Sequence, residues 1–191
     1  MLNKIVDFFW GIAGLKAFIA ALLIYLAFAG LVMSPGAAKI QQLSGKKIEI
    51  LDLQFTYTPA KARAIIADYG DAARNYAANF EMIADTLYPV VYTFLFAIMI
   101  SWVFKSLSAY GVRVKYVLLL PYCVMFADYG ENIGIIQMLK TFPNFSDFHV
   151  VISSFFTSLK WSLLVVETVI IGGSVWLFIF YRMTRGKAVS K

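Results

Sequence analysis

The stretch Tyr116–Leu139, YVLLLPYCVMFADYGENIGIIQML, decides how this chain folds. It is long enough to cross a hydrocarbon core, which takes roughly 20 helical residues. Yet it carries Asp128, Glu131 and Asn132 at i, i+3 and i+4, one face of a helix. Two carboxyls at membrane depth are costly in lipid, so that face has to turn toward other helices. The stretch therefore predicts a bundle.

Three further apolar stretches of suitable length surround it, at about 17–33, 85–104 and within 150–181. The expected fold is an all-α membrane protein: a four-transmembrane-helix bundle forming one integral membrane domain over residues 1–191. A short helical extramembrane segment, 35–84, lies between the first and second spans. The last apolar stretch exceeds one crossing, so it tilts or protrudes. The first is longer than the apolar run of a signal peptide and reads as a retained anchor. It is expected to stop at Ser34-Pro35-Gly36. Before it, aromatic and charged residues alternate from Leu2 to Trp10, which suits a short helix in the membrane interface.

Composition agrees. Of 191 residues, 61% are apolar and 15% charged, against about a quarter charged in a soluble domain. One cysteine, Cys123, excludes an intrachain disulfide and reads as a packing residue. The net charge of +6 reflects topology before nucleic-acid binding. With four spans, both termini and the 105–115 loop share one side, with Lys4, Lys16, Lys105, Arg113, Lys115, Arg182, Arg185, Lys187 and Lys191. The other side holds Lys39, Lys46, Lys47, Lys61, Arg63, Arg74 and Lys140, mixed with acids. The cation excess places both termini in the cytoplasm. A bacterial inner membrane and a eukaryotic endomembrane fit equally.

Within 35–84, residues Ile48–Tyr57 partly alternate apolar and polar, which predicts an extended piece. Thr58-Pro59 reads as an N-cap followed by proline at the first helical position. Gly70 should break that helix, and the next should run unbroken to Pro89 and beyond.

The ionisable groups in the spans mark the candidate site. Counting about 1.5 Å per residue from the cytoplasmic ends, Tyr92, Asp128, Glu131 and Glu167 fall roughly 20–24 Å up, and Asp85 and Lys160 roughly 30–33 Å up. All lie in the same half of the bilayer, beside the long loop. They also share faces. Glu81, Asp85, Tyr88 and Tyr92 form one stripe, and Ser153, Thr157, Lys160, Glu167 and Ser174 another. Pro89 lacks an amide and leaves the Asp85 carbonyl open as an acceptor. Gly130 and Gly134 let a neighbouring helix come close. An acidic, aromatic-lined pocket in the outer half is therefore expected, lined by Asp128, Glu131, Asn132, Tyr92 and Glu167. Lys160 should pair with Asp128, Glu131 or Asp85, and Arg74 should reach down toward the pocket. Glu167 is expected to bond a hydroxyl or tyrosine. Asp85, Asp128, Glu131 and Glu167 would carry −4 if all were ionised, so the site must hold protons, bind a cation or admit water.

One cysteine and one histidine (His149, read as interfacial) do not supply a zinc, iron–sulfur or carboxylate-bridged di-metal site. No metal is assigned and no cofactor is indicated. No phosphate loop, serine triad or nucleic-acid motif is present. The expected partners are the lipid bilayer and a lipid-like or cationic small molecule, with room for a homo-oligomer and no nucleic acid. The leading expectation is a protein whose pocket binds a proton, a cation or an amphiphilic ligand, through Asp85, Tyr88, Tyr92, Asn132, Glu167 and Arg74. The alternative is an intramembrane acid/base enzyme on a lipid or isoprenoid, with Asp128 or Glu131 as acid/base and Lys160 as electrostatic stabiliser. A third is a structural or assembly subunit whose polar groups only fix helix packing.

Overall fold

The computed structural model describes residues 2–112 and 114–186. It is all-helical, with 87% helix and no strand among the described residues. Arg113, Lys187 and Lys191, part of the basic count above, lie outside the described residues.

Helix α1, Leu2–Ile12, buries Val6 and Phe9 and exposes Leu2, Phe8 and Ile12. Helix α2, Leu15–Ser44, does not stop at Pro35. Residues Ala29–Met33 form a widened π turn, and the Ser34 amide reaches back five residues to the Ala29 carbonyl. That wider turn accommodates the proline ring, which would otherwise clash with the preceding turn. The helix ends instead at Gly45, whose φ of 68° is left-handed.

Residues 45–58 form a strap containing one tight turn, Leu51–Leu53, rather than a uniformly extended piece. Helix α3, Pro59–Ser108, starts as expected: the Thr58 hydroxyl accepts from the Lys61 amide at 3.2 Å. It breaks at Gly70, where φ 69° and ψ 169° suit only glycine. It then runs on through Pro89. Helix α4 is Leu120–Thr141, entered by a tight turn at Tyr116–Leu119. Helix α5 is Asp147–Gly186.

Three helices, α2, α3 and α5, are long and apolar enough to cross a membrane. Half of α3's most apolar stretch is buried, against 11% for α5 and none for α2, so α3 is the central post. Exposed Leu23, Ile24 and Leu31 on α2, and Val165, Val169 and Trp176 on α5, form the apolar exterior. Helix α4 is shorter and carries Asp128, Glu131 and Lys140. It packs between α3 and α5, with Asp128, Glu131 and Asn132 all buried.

Two apolar cores stack along the bundle. One joins Ile48, Leu51 and Tyr57 of the strap to Ile66 and Tyr69 of α3 and to Met138 and Val150. The 35–84 segment thus has no core of its own and caps one end of the bundle. The other core joins Val6 and Phe9 to Ile98, Ile100, Leu107 and Leu118 at the opposite end. Between them lies a polar layer. Close approach there is set by glycine: a Cβ on Gly134 would meet Ser153 Cβ at 2.5 Å, and one on Gly130 would meet the Phe156 ring at 2.7 Å.

Candidate functional site

Lys160 is the hub of the polar layer. Its Nζ lies 2.5 Å from Glu131 Oε2 and 3.3 Å from Asp128 Oδ1, and all three residues are buried. Each carboxylate has a second donor. Tyr92 donates its hydroxyl to Asp128 Oδ2 at 2.8 Å, and Thr157 donates to Glu131 Oε1 at 2.8 Å. Such extra bonds are what a buried ion pair needs to offset its desolvation. The expected pairing of Lys160 with α4 is present with both acids at once. The acceptor left open by Pro89 is also used: Asn132 Nδ2 donates to the Asp85 carbonyl at 3.2 Å.

The strap is fastened to α5 by side chains at helical spacing. Ser154 Oγ accepts the Tyr57 amide at 2.9 Å, Ser158 donates to the Phe55 carbonyl at 2.9 Å, and Trp161 donates its indole N–H to the Asp52 carbonyl at 3.3 Å. Tyr57 itself reaches inward, donating to Ser153 at 2.8 Å. Burial pushes the Tyr57 phenol up to about 12, which keeps it a neutral donor.

Beneath the strap is a cavity of about 470 Å³. Its polar wall is Asp52 from the strap, Glu81 and Asp85 from α3, Asp128 from α4 and Lys160 from α5. Its aromatic wall is a column of rings. Tyr25 stacks on Tyr88 at 5.9 Å and accepts its hydroxyl at 3.0 Å, and Tyr88 meets Tyr92 edge-on at 5.6 Å. Phe80, Phe96 and Trp161 complete it. Met33, Ala37 and Ile40 of α2, Ile50 and Leu53 of the strap and Leu164 of α5 are its apolar lining.

The structure therefore brings Asp85, Tyr88, Tyr92, Asp128 and Lys160 to one cavity. It does not bring there the other expected lining residues. Glu131 and Asn132 do not line it: Glu131 is held by Lys160 and Thr157, and Asn132 by the Asp85 carbonyl. Glu167 is buried away from the cavity, and neither of its carboxyl oxygens bonds a hydroxyl or tyrosine. Arg74 does not reach down. It is held outside by Asp71 and by the Ile66 carbonyl at 3.2 Å, over the face of the Phe142 ring. Cys123 is exposed rather than packed.

Two acids of the cavity are not among the expected site residues. Glu81 is one turn before Asp85 on the same stripe, so helical spacing alone was enough to find it. Asp52 had no such signal, because its place depends on where α5 anchors the strap. Among the described residues, no group of three or more His, Cys, Asp or Glu is arranged to hold a metal ion.

Burial raises the Asp52 carboxyl above its ordinary value of 3.8, with Lys160 opposing the shift and Asp128 adding to it. An acid raised in the folded state binds its proton more tightly folded than unfolded. Its stabilising contribution is complete below the usual carboxylate range and is lost as pH climbs through the folded-state value. Asp52→Asn should therefore melt above wild type at neutral pH, with the gap closing below about pH 4. Thermal unfolding in mild detergent at the two pH values measures this, and a lower neutral-pH melting temperature for the variant contradicts it.

No known family model, curated protein or solved structure matches this chain.

Proposed function

We propose that this chain is a four-span membrane protein whose acidic, aromatic-walled cavity, in the outer half of the bilayer, binds a cationic amphiphile. One observation carries the reading. Asp52, Glu81, Asp85 and Asp128 converge on a single cavity whose one ammonium, Lys160, is already shared by Asp128 and Glu131. An excess of carboxyls among aromatic faces suits a cationic head, and the apolar lining suits a chain.

Helix α4 completes the four spans in this reading. At 22 residues it is roughly 33 Å long, and its charged face is sheltered by α3 and α5. The cation count then sets both termini in the cytoplasm and the strap outside. In a Cys123→Ser background, a cysteine at Lys46 should react with an impermeant thiol reagent applied from outside. One at Arg182 should react only after permeabilisation, and the reverse pattern refutes the orientation.

A second reading, an intramembrane acid/base enzyme on a lipid or isoprenoid, draws on one feature. Glu81 and Asp85 stand one turn apart on α3 and line the same cavity, an arrangement in which two carboxyls can share one proton. Carboxyl pairs sharing a proton serve acid–base chemistry. The acid/base role would then fall to Asp85 or Asp128, because Glu131 does not line the cavity.

Native mass spectrometry of gently purified protein tests the binding reading. A retained small molecule in wild type, lost from a Glu81→Gln/Asp85→Asn variant that keeps its helical spectrum, is the expected result. A chemically altered product from an added lipid would favour the enzyme. Retained species that are identical in wild type and variant would leave the polar layer a packing device and overturn the proposal.

A further inference from the structure

We infer that the cavity takes a single-chain amphiphile whose head is a protonated amine bearing N–H donors, admitted sideways between α2 and α5. This rests on the reading of the cavity as a ligand site and specifies what it takes.

The head group follows from which atoms lack partners. Glu81 is 6% exposed and lines the cavity, and its Oε2 is buried without a donor from the protein. Asp52 Oδ1, on the strap that lines the same cavity, is likewise buried without one. Both atoms are acceptors. Positive charge alone does not satisfy them, because a buried acceptor also needs a hydrogen aimed at it. Lys160 already serves Asp128 and Glu131. A primary ammonium brings three N–H donors and a compact charge. A quaternary ammonium brings charge without hydrogens, and leaves both oxygens as they are.

The chain and its route follow from the walls. Met33 on α2 and Leu164 on α5 both line the cavity. Yet each helix packs on α3 and neither packs substantially on the other. The cavity's side between them is therefore formed by two helices that do not seal together. Both present apolar side chains to their surroundings, Leu31 78% exposed on α2 and Val165 61% exposed on α5. The π turn at Ala29–Met33 falls at this same edge, where the regular hydrogen bonding of α2 is already interrupted. At the strap end Asp52, Leu53 and Trp161 line the cavity, tied together by the Trp161 indole bond to the Asp52 carbonyl, and the unsealed side between α2 and α5 is the entrance assigned to the chain.

The probes are dodecylamine, dodecyltrimethylammonium and butylamine, each titrated near neutral pH against wild-type protein in nanodiscs of neutral lipid. Bound copies are counted by native mass spectrometry and binding is followed through Trp161 fluorescence, with Trp161→Phe as the blank. Dodecylamine should bind at least tenfold more tightly than the quaternary amine of equal chain, the effect of one unsatisfied charged hydrogen bond. Butylamine should bind far more weakly than dodecylamine. Glu81→Gln combined with Asp52→Asn should weaken dodecylamine tenfold or more and abolish the preference for the primary amine. Leu164→Trp, which fills the side opening, should weaken dodecylamine and spare butylamine.

The outcomes separate the two levels. Equal binding of primary and quaternary amines, or of butylamine and dodecylamine, with loss in the Glu81→Gln/Asp52→Asn variant, overturns this inference and leaves an acidic cation site standing. Binding of all three amines that is the same in wild type and variant is partition into lipid only, and it overturns both. The comparison among amines uses wild type alone, so it stands whatever the variants do to folding.

Discussion

Lys160→Met should cost about 3–5 kcal/mol of stability, because it strands two buried carboxylates that share one ammonium. Glu131 is fully buried and 2.5 Å from the Nζ, so it is the more tightly coupled partner. Asp128 is 3.3 Å away and keeps the Tyr92 hydroxyl as a second donor. In the Lys160→Met background, Glu131→Gln should recover more of the loss than Asp128→Asn. Asp85→Asn should add independently, because Asp85 forms no ion pair with the lysine. Double-mutant cycles of unfolding in detergent measure these couplings. Additive losses for both Glu131 and Asp128 would show that the lysine does not hold the layer together.

Gly134→Val should be the most damaging substitution outside the charge centre. Even the Cβ it adds would sit 2.5 Å from Ser153 Cβ and 3.3 Å from the Ser153 Cα, so backbone as well as side chain must move. Overpacking of this kind costs about 1–3 kcal/mol, and valine's branches place it at the upper end. The shift would also draw Ser153 from the Glu131 carbonyl, now 3.1 Å away, and loosen the contact beside Lys160. Gly134→Ala should show a smaller loss that Ser153→Gly partly restores. Gly172, with nothing within 4 Å of an added Cβ, is the control, since alanine there should gain about 1 kcal/mol of helix propensity. Melting temperatures that rank Gly134→Ala with Gly172→Ala would refute the close approach.

Much of the site was legible because it lies on helices. Spacing puts Asp128, Asn132, Lys160, Tyr88 and Tyr92 on inward faces toward the same end of the bundle, and the missing amide of Pro89 foretells an acceptor that Asn132 takes. Thr58, Pro59 and Gly70 declared their helix ends through chemistry that acts within one turn. Pro35 misled, because the turn that absorbs it belongs to the residues before it. Cys123 is exposed rather than packed: periodicity places a residue on a face without saying which face meets a neighbour.

Readable along the chain alone are the helical stretches, the inward stripes and the need of Lys160 for a carboxylate partner. All of these follow from a periodicity and from the cost of burying charge, which operate on one helix at a time. The packing of the helices settles that Asp128 lines a cavity and Glu131 does not, that neither Glu167 oxygen has a hydrogen-bond partner, and that Asp52 joins the acids. Those outcomes depend on how helices are rotated against one another and on where Ser154, Ser158 and Trp161 pin the strap. The cavity exists because two apolar cores pack above and below a layer of side chains, and no pattern along one segment encodes the space left between several.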